Sequence, residues 1–165
     1  MPPPWTPEVF VDDDGNEPFT RFAESLSDFA FVALDAAIRF VLAVRGMELA
    51  RTEWLKALGN GLHEFRIRHD ADEIARMFGV PDDQQAAAGA GQPEPVLLRV
   101  FVHFHGDKVV LLLSGYDKGD DSSAKRQARA ITTARKHLAA WRVQEARRKA
   151  AGRPGGPRRG SQRKE

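Results

Sequence analysis

Cysteine is absent from the 165 residues. That excludes a disulfide framework, a thiol nucleophile and any cysteine-ligated zinc or iron–sulfur site. Long apolar runs are also lacking: the most hydrophobic stretch, Phe29 to Val44, is sixteen residues and holds Asp35 and Arg39. It is too short and too charged to span a bilayer. The opening Met1-Pro2-Pro3-Pro4-Trp5 has neither the basic start nor the apolar stretch of a signal peptide. There is no Gly-rich phosphate loop, no Gly-x-Ser-x-Gly elbow and no His-Glu-x-x-His pair. The expectation is a soluble, cytoplasmic protein with no membrane partner.

At this length, and with 42% hydrophobic residues, the chain can bury one real core. Its net charge of +2 conceals a strong asymmetry. Residues 122–165 carry 14 Lys/Arg against Glu145 and Glu165, whereas residues 1–121 carry 11 basic against 21 acidic side chains. A basic end on an acidic body suits a polyanionic partner, although a solvated helix with a disordered tail gives the same pattern.

Trp5 to Val11 reads as a first strand, closed by the turn Asp12-Asp13-Asp14-Gly15-Asn16. Pro18 opens a helical stretch with Phe19, Phe22 and Leu26 at helical spacing. Ser27 is a suitable N-cap for a core helix ending at Gly46. Glu48 to Leu58 reads as a short helix followed by the turn Leu58-Gly59-Asn60-Gly61. Leu62 to Arg68 alternates, with Glu64, Arg66 and Arg68 on one face and His63, Phe65 and Ile67 on the other. Asp72 to Phe78 suits one or two helical turns, and residues 79–95 suit a flexible surface loop. Val96 to Tyr116 predicts a hairpin tipped by Gly106-Asp107. A two-residue loop sets Arg99 opposite Ser114 and puts Arg99, Phe101 and His103 on one face with Leu112, Ser114 and Tyr116. A three-residue loop changes that pairing. Asp120-Asp121-Ser122-Ser123 starts a last helix reaching about Arg148, with Ile131, Ala134, Leu138 and Trp141 as its apolar stripe.

His103 and His105 lie two apart on a strand, without a third ligand at fitting spacing, so no metal site is assigned. What remains is cationic. Arg66, Arg68 and Arg99 sit on strands, Tyr116 and Lys118 end a strand, and Lys125, Arg126 and Arg129 occupy the start of the last helix. If the hairpin packs beside Leu62–Arg68, these groups converge: guanidinium groups hold phosphates bidentately and a Tyr ring stacks on a base. The plain alternative is ordinary surface charge.

Four segments, in order, resemble the RelE/ParE superfamily of toxins, HigB-like branch. Leu58-Gly59-Asn60-Gly61-Leu62-His63-Glu64-Phe65-Arg66 is similar to that family's Leu-Gly-x-Gly-Leu-x-Glu-Leu-Arg segment. Val96-Leu97-Leu98-Arg99-Val100-Phe101 resembles its Tyr-Arg-Val-Leu-Tyr strand, and Val110 to Lys118 its Val-Leu-Leu-His-Gly-Phe-x-Lys strand. Ser122-Ser123-Ala124-Lys125-Arg126 stands where Thr-Pro-Lys often opens the last helix. The chain departs from the pattern at Gly119, where a second Lys is usual, at Ala124, where Pro is usual, and in an insertion at residues 70–95.

The resemblance implies an α+β fold: a small antiparallel sheet, N-terminal helices packed on it and a basic C-terminal helix. The toxin domain is expected over residues 1–149 and a disordered basic tail over 150–165, with ribosomal RNA as the tail's anchor. It further implies the toxin of a type II toxin–antitoxin system, an endoribonuclease cutting messenger RNA at the ribosome, restrained by an antitoxin protein of helix-turn-helix type. No cofactor or metal is called for. Arg66, Arg99, Tyr116 and Lys118 are the candidate catalytic residues; Arg68, His103, Lys125, Arg126 and Arg129 are candidates for RNA binding. The alternatives are a ParE-like gyrase inhibitor and a catalytically silent nucleic-acid-binding module.

Overall fold

The computed structural model describes residues 3–85 and 92–152. Five strands form one sheet: β1 (Thr6–Val9), β2 (Leu55–Gly59), β3 (Leu62–Ile67), β4 (Leu98–His105) and β5 (Val109–Asp117), in the order β1-β5-β4-β3-β2. Every pairing is antiparallel except β1 with β5, so the fold is α+β with a mostly antiparallel sheet.

One face carries the N-terminal helices. α1 (Pro18–Glu24) begins with Pro at the position that needs no N–H, and buries Phe19 and Phe22. α2 (Asp28–Ala37) is capped by the Ser27 hydroxyl, which accepts from Ala30 N–H at 3.1 Å. It runs on through a π-helical turn, Ile38–Leu42, into α3 (Ala43–Arg45). Gly46 ends this rod at φ +47°, and a Cβ there would overlap the Trp5 ring. Both backbone and neighbour therefore require glycine. Ala33, Leu34, Ala37, Val41 and Leu42 pack on Phe65, Ile67, Val100, Val102, Val110 and Leu112 of the sheet.

The opposite face is covered by α5 (Ala124–Gly152), started by Ser123, whose hydroxyl accepts from Arg126 N–H. Ala130, Ala134, Leu138 and Trp141 meet Phe10, Leu62, Phe101, Leu111, Leu113 and Tyr116. Arg135 donates to the carbonyls of Leu58 and Gly59, and Arg142 to that of Asn60, so α5 also clamps the β2–β3 turn.

Two sequence expectations change. Residues 55–59 are strand, not helix, and only Gly46–Leu49 forms a 3₁₀ turn. Asn60 and Gly61, both at positive φ, make the tight turn that folds this stretch back onto β3. Second, the β4–β5 loop has three residues, Gly106-Asp107-Lys108, between paired His105 and Val109. A bulge at Leu113 shifts the register again, so Arg99 faces Tyr116, and Leu112 moves to the N-terminal helix face. The helical turns expected at residues 72–78 do form. α4 (Ala71–Phe78) has an Asp70/Glu73 capping box and buries Ile74 in the main core. α5 runs past residue 149 to Gly152, and the rest of the expected tail lies outside the described residues. Among the described residues, no helix is long and apolar enough to cross a membrane.

Candidate anion-binding site at the start of the last helix

Strand register lines up one row across the sheet: Arg66 on β3 pairs with Arg99 on β4, which pairs with Tyr116 on β5. Such neighbours share a face, about 5 Å apart at Cβ, so the three side chains form a continuous strip. The next row is Glu64, Phe101 and Ser114. The first turns of α5 lie across both. Arg126 sits 5.0 Å above the Tyr116 ring, and Gln127 Nε2 donates to Glu64 Oε2 at 3.3 Å. The Phe101 ring is stacked 6.1 Å from Tyr116.

Burial divides these groups. Glu64 has no exposed surface, Tyr116 1% and Arg99 2%. Arg66 keeps 22% of its side chain exposed and donates from Nε to Glu64 Oε1 at 3.0 Å. Arg99 Nη1 donates to the Leu98 carbonyl, while Arg99 Nε and the Tyr116 hydroxyl have no partner among the described residues. Burial pushes the Arg99 guanidinium below its usual range. Glu64 opposes that shift, and Arg68 and Arg66 add to it. Burial and then Glu64 push the Tyr116 hydroxyl up, so it stays protonated at neutral pH. Arg66 and Arg99 thus bear on one buried carboxylate while Arg126 lies over the neighbouring ring, an excess of positive charge beside two donors that have no partner among the described residues. Such an arrangement is suited to an anion bearing several oxygens.

Of the residues nominated from sequence, the structure brings together Arg66, Arg99, Tyr116 and Arg126, with exposed Arg68 just past the end of β3. Lys118 lies in the turn after β5, where its backbone N–H donates to the Leu97 carbonyl and Gly119 N–H donates to Asp117 Oδ1. Lys125 and Arg129 are exposed near the start of α5.

His103 is elsewhere. It lies four residues along β4 from Arg99, about 13 Å away, toward the hairpin tip. Its Nδ1 pairs with the Gly61 carbonyl at 2.8 Å, and its ring packs on Trp141 with that of His105. Burial holds the His103 imidazole below the ordinary value, so it adds no charge at neutral pH. His105 pairs with Glu8, and among the described residues no three His, Asp or Glu side chains gather as metal ligands.

No family model, curated protein or solved structure matches this chain.

Two members of the site escaped the sequence reading. Glu64 was an acid on an alternating strand, indistinguishable from a solvated one, and Gln127 carried no signal. The Glu-x-Arg spacing of residues 64–66 was the available clue, because alternate strand residues share a face.

Proposed function

We propose that this chain is a toxin of the RelE/ParE type, HigB-like branch, which cleaves messenger RNA at the ribosome without a metal. One observation carries the reading: Arg66, Arg99 and Tyr116 stand in one row beneath Arg126. Three of the four resembling segments supply that row's cations and ring. In the proposed reaction the 2′-oxygen forms a bond to phosphorus as the P–O5′ bond breaks. The products are a 2′,3′-cyclic phosphate and a free 5′-hydroxyl. The 2′ proton leaves to a base and a proton arrives on O5′, so charge builds on the phosphate oxygens between them. Arg66 and Arg99 are assigned to that charge. The Tyr116 hydroxyl, protonated and without a partner among the described residues, is assigned to the leaving oxygen. Lys118 is assigned to proton exchange, and Lys125, Arg68 and Arg129 to the flanking backbone. A cognate antitoxin of helix-turn-helix type is the proposed restraint.

The burial of Arg99 and Tyr116 favours a second reading, a silent nucleic-acid-binding module whose row stays covered by α5. Induction in a bacterial host, with primer extension on a reporter messenger RNA, separates the two. The ribonuclease gives new 5′ ends that Arg66→Ala reduces about 100-fold, the worth of one transition-state donor. Lys118→Ala abolishes them if the proton assignment is right. Intact RNA with growth arrest points to gyrase. Intact RNA without arrest leaves the silent module.

A further inference from the structure

Glu64 is buried completely, and a buried carboxylate is costly unless both its oxygens are satisfied. Both are: Oε1 accepts from Arg66 Nε at 3.0 Å and Oε2 from Gln127 Nε2 at 3.3 Å. The first bond uses the edge of Arg66 rather than its end. A guanidinium carries five N–H donors, and engagement through Nε leaves the four on the two Nη atoms. Among the described residues neither Nη of Arg66 has a hydrogen-bond partner, and the side chain is 22% exposed. A guanidinium fixed at its edge with its terminal pair open presents parallel N–H groups, the geometry that grips a phosphate with two bonds. Holding it in advance also removes the rotamer freedom a long side chain otherwise loses on binding.

We propose that Glu64 is a positioning residue: it holds Arg66 by the Nε edge so that the free Nη pair forms a phosphate-binding fork, tied by Gln127 to the first turns of α5. The identity of that phosphate as RNA backbone rests on the ribonuclease reading; the fork itself does not. Arg99, buried beside it, makes the anion site deeper and more positive. Glu64 touches no substrate and acts through Arg66 alone.

The test follows arginine side-chain resonances of the full chain, labelled with ¹⁵N at arginine, as inorganic phosphate is added. Arg66→Lys identifies the Arg66 signals by their loss and supplies a folded, charge-conserving comparison. In the wild type the Arg66 Nε–H is expected to be protected from exchange with water, and its Nη resonances to move on phosphate addition. Glu64→Gln keeps the volume and one acceptor but removes the charge. It should cost Arg66 its protection and weaken phosphate binding about tenfold, the worth of one hydrogen bond to a charged group. If Glu64→Gln does not fold, the wild type and Arg66→Lys decide the matter by themselves. An Arg66 Nε–H that exchanges as fast as that of exposed Arg51 overturns the proposal. So does phosphate that leaves the Arg66 Nη signals in place. RNA cleavage is assayed on the same samples. A responsive fork without cleavage removes the ribonuclease reading and keeps the positioning role; cleavage with an unresponsive Arg66 does the reverse.

Discussion

Replacing Tyr116 by Phe should make this protein more stable and less active at once. The Tyr116 side chain is 1% exposed and its hydroxyl has no hydrogen-bond partner among the described residues. A buried donor without a partner carries a desolvation cost of about 1–3 kcal/mol. Phenylalanine removes that cost and keeps the ring against Phe101 and under Arg126. A gain on the order of 1 kcal/mol follows, which for a chain of this length raises Tm by about 2–4 °C. The hydroxyl is also the group assigned to the leaving oxygen, so cleavage should fall about 100-fold. Urea denaturation followed by far-ultraviolet circular dichroism measures the first effect, and primer extension the second. A Phe variant destabilised by more than about 1 kcal/mol would show that the hydroxyl is hydrogen-bonded in the folded protein. A stable variant with full cleavage would falsify the role given to Tyr116 and spare the packing argument.

Gly46→Ala should destabilise the fold by about 2 kcal/mol or more, because φ of +47° strains alanine and its Cβ meets the Trp5 ring. A urea midpoint equal to wild type would refute this. Stability should also fall as the solution is acidified from pH 7.5 to 5.5. Burial holds His63, His103 and His137 below the ordinary imidazole value, so the folded state binds fewer protons than an unfolded chain titrating near ~6.5. Their contribution is complete above that value and is lost as pH drops through it toward the folded values. An unchanged urea midpoint across this range would show that these rings are accessible.

The sequence yielded what local chemistry controls. Ser27 before an apolar rod, Pro18 at a helix start, Gly46 at its end and Ser123 opening the last helix are short-range signals, and each marks a real boundary. β2 was illegible because Leu55-Lys56-Ala57-Leu58 is built of good helix formers with no β-branched residue. Pairing with β3 across the Asn60-Gly61 turn overrides that preference. The contribution of α4 to the core was hidden for a related reason, since one amphipathic turn or two cannot announce what will cover it.

The candidate site divides the same way. Alternation on residues 62–68 put Glu64, Arg66 and Arg68 on one face, and charge counting located the basic end; both needed only the order of residues. Which side chains stand opposite one another was decided by a three-residue loop and one bulged residue, Leu113. Those details bring Arg99 level with Tyr116, since a register shift of one residue reverses every side chain beyond it; His103 lies apart simply because it is four residues farther along β4. Burial was decided later still, by the docking of α5: Glu64 becomes a buried ion-pair partner only because a helix some sixty residues away in sequence closes over it. Periodicity and caps are properties of a segment; facing partners and exclusion of water are properties of the packed whole.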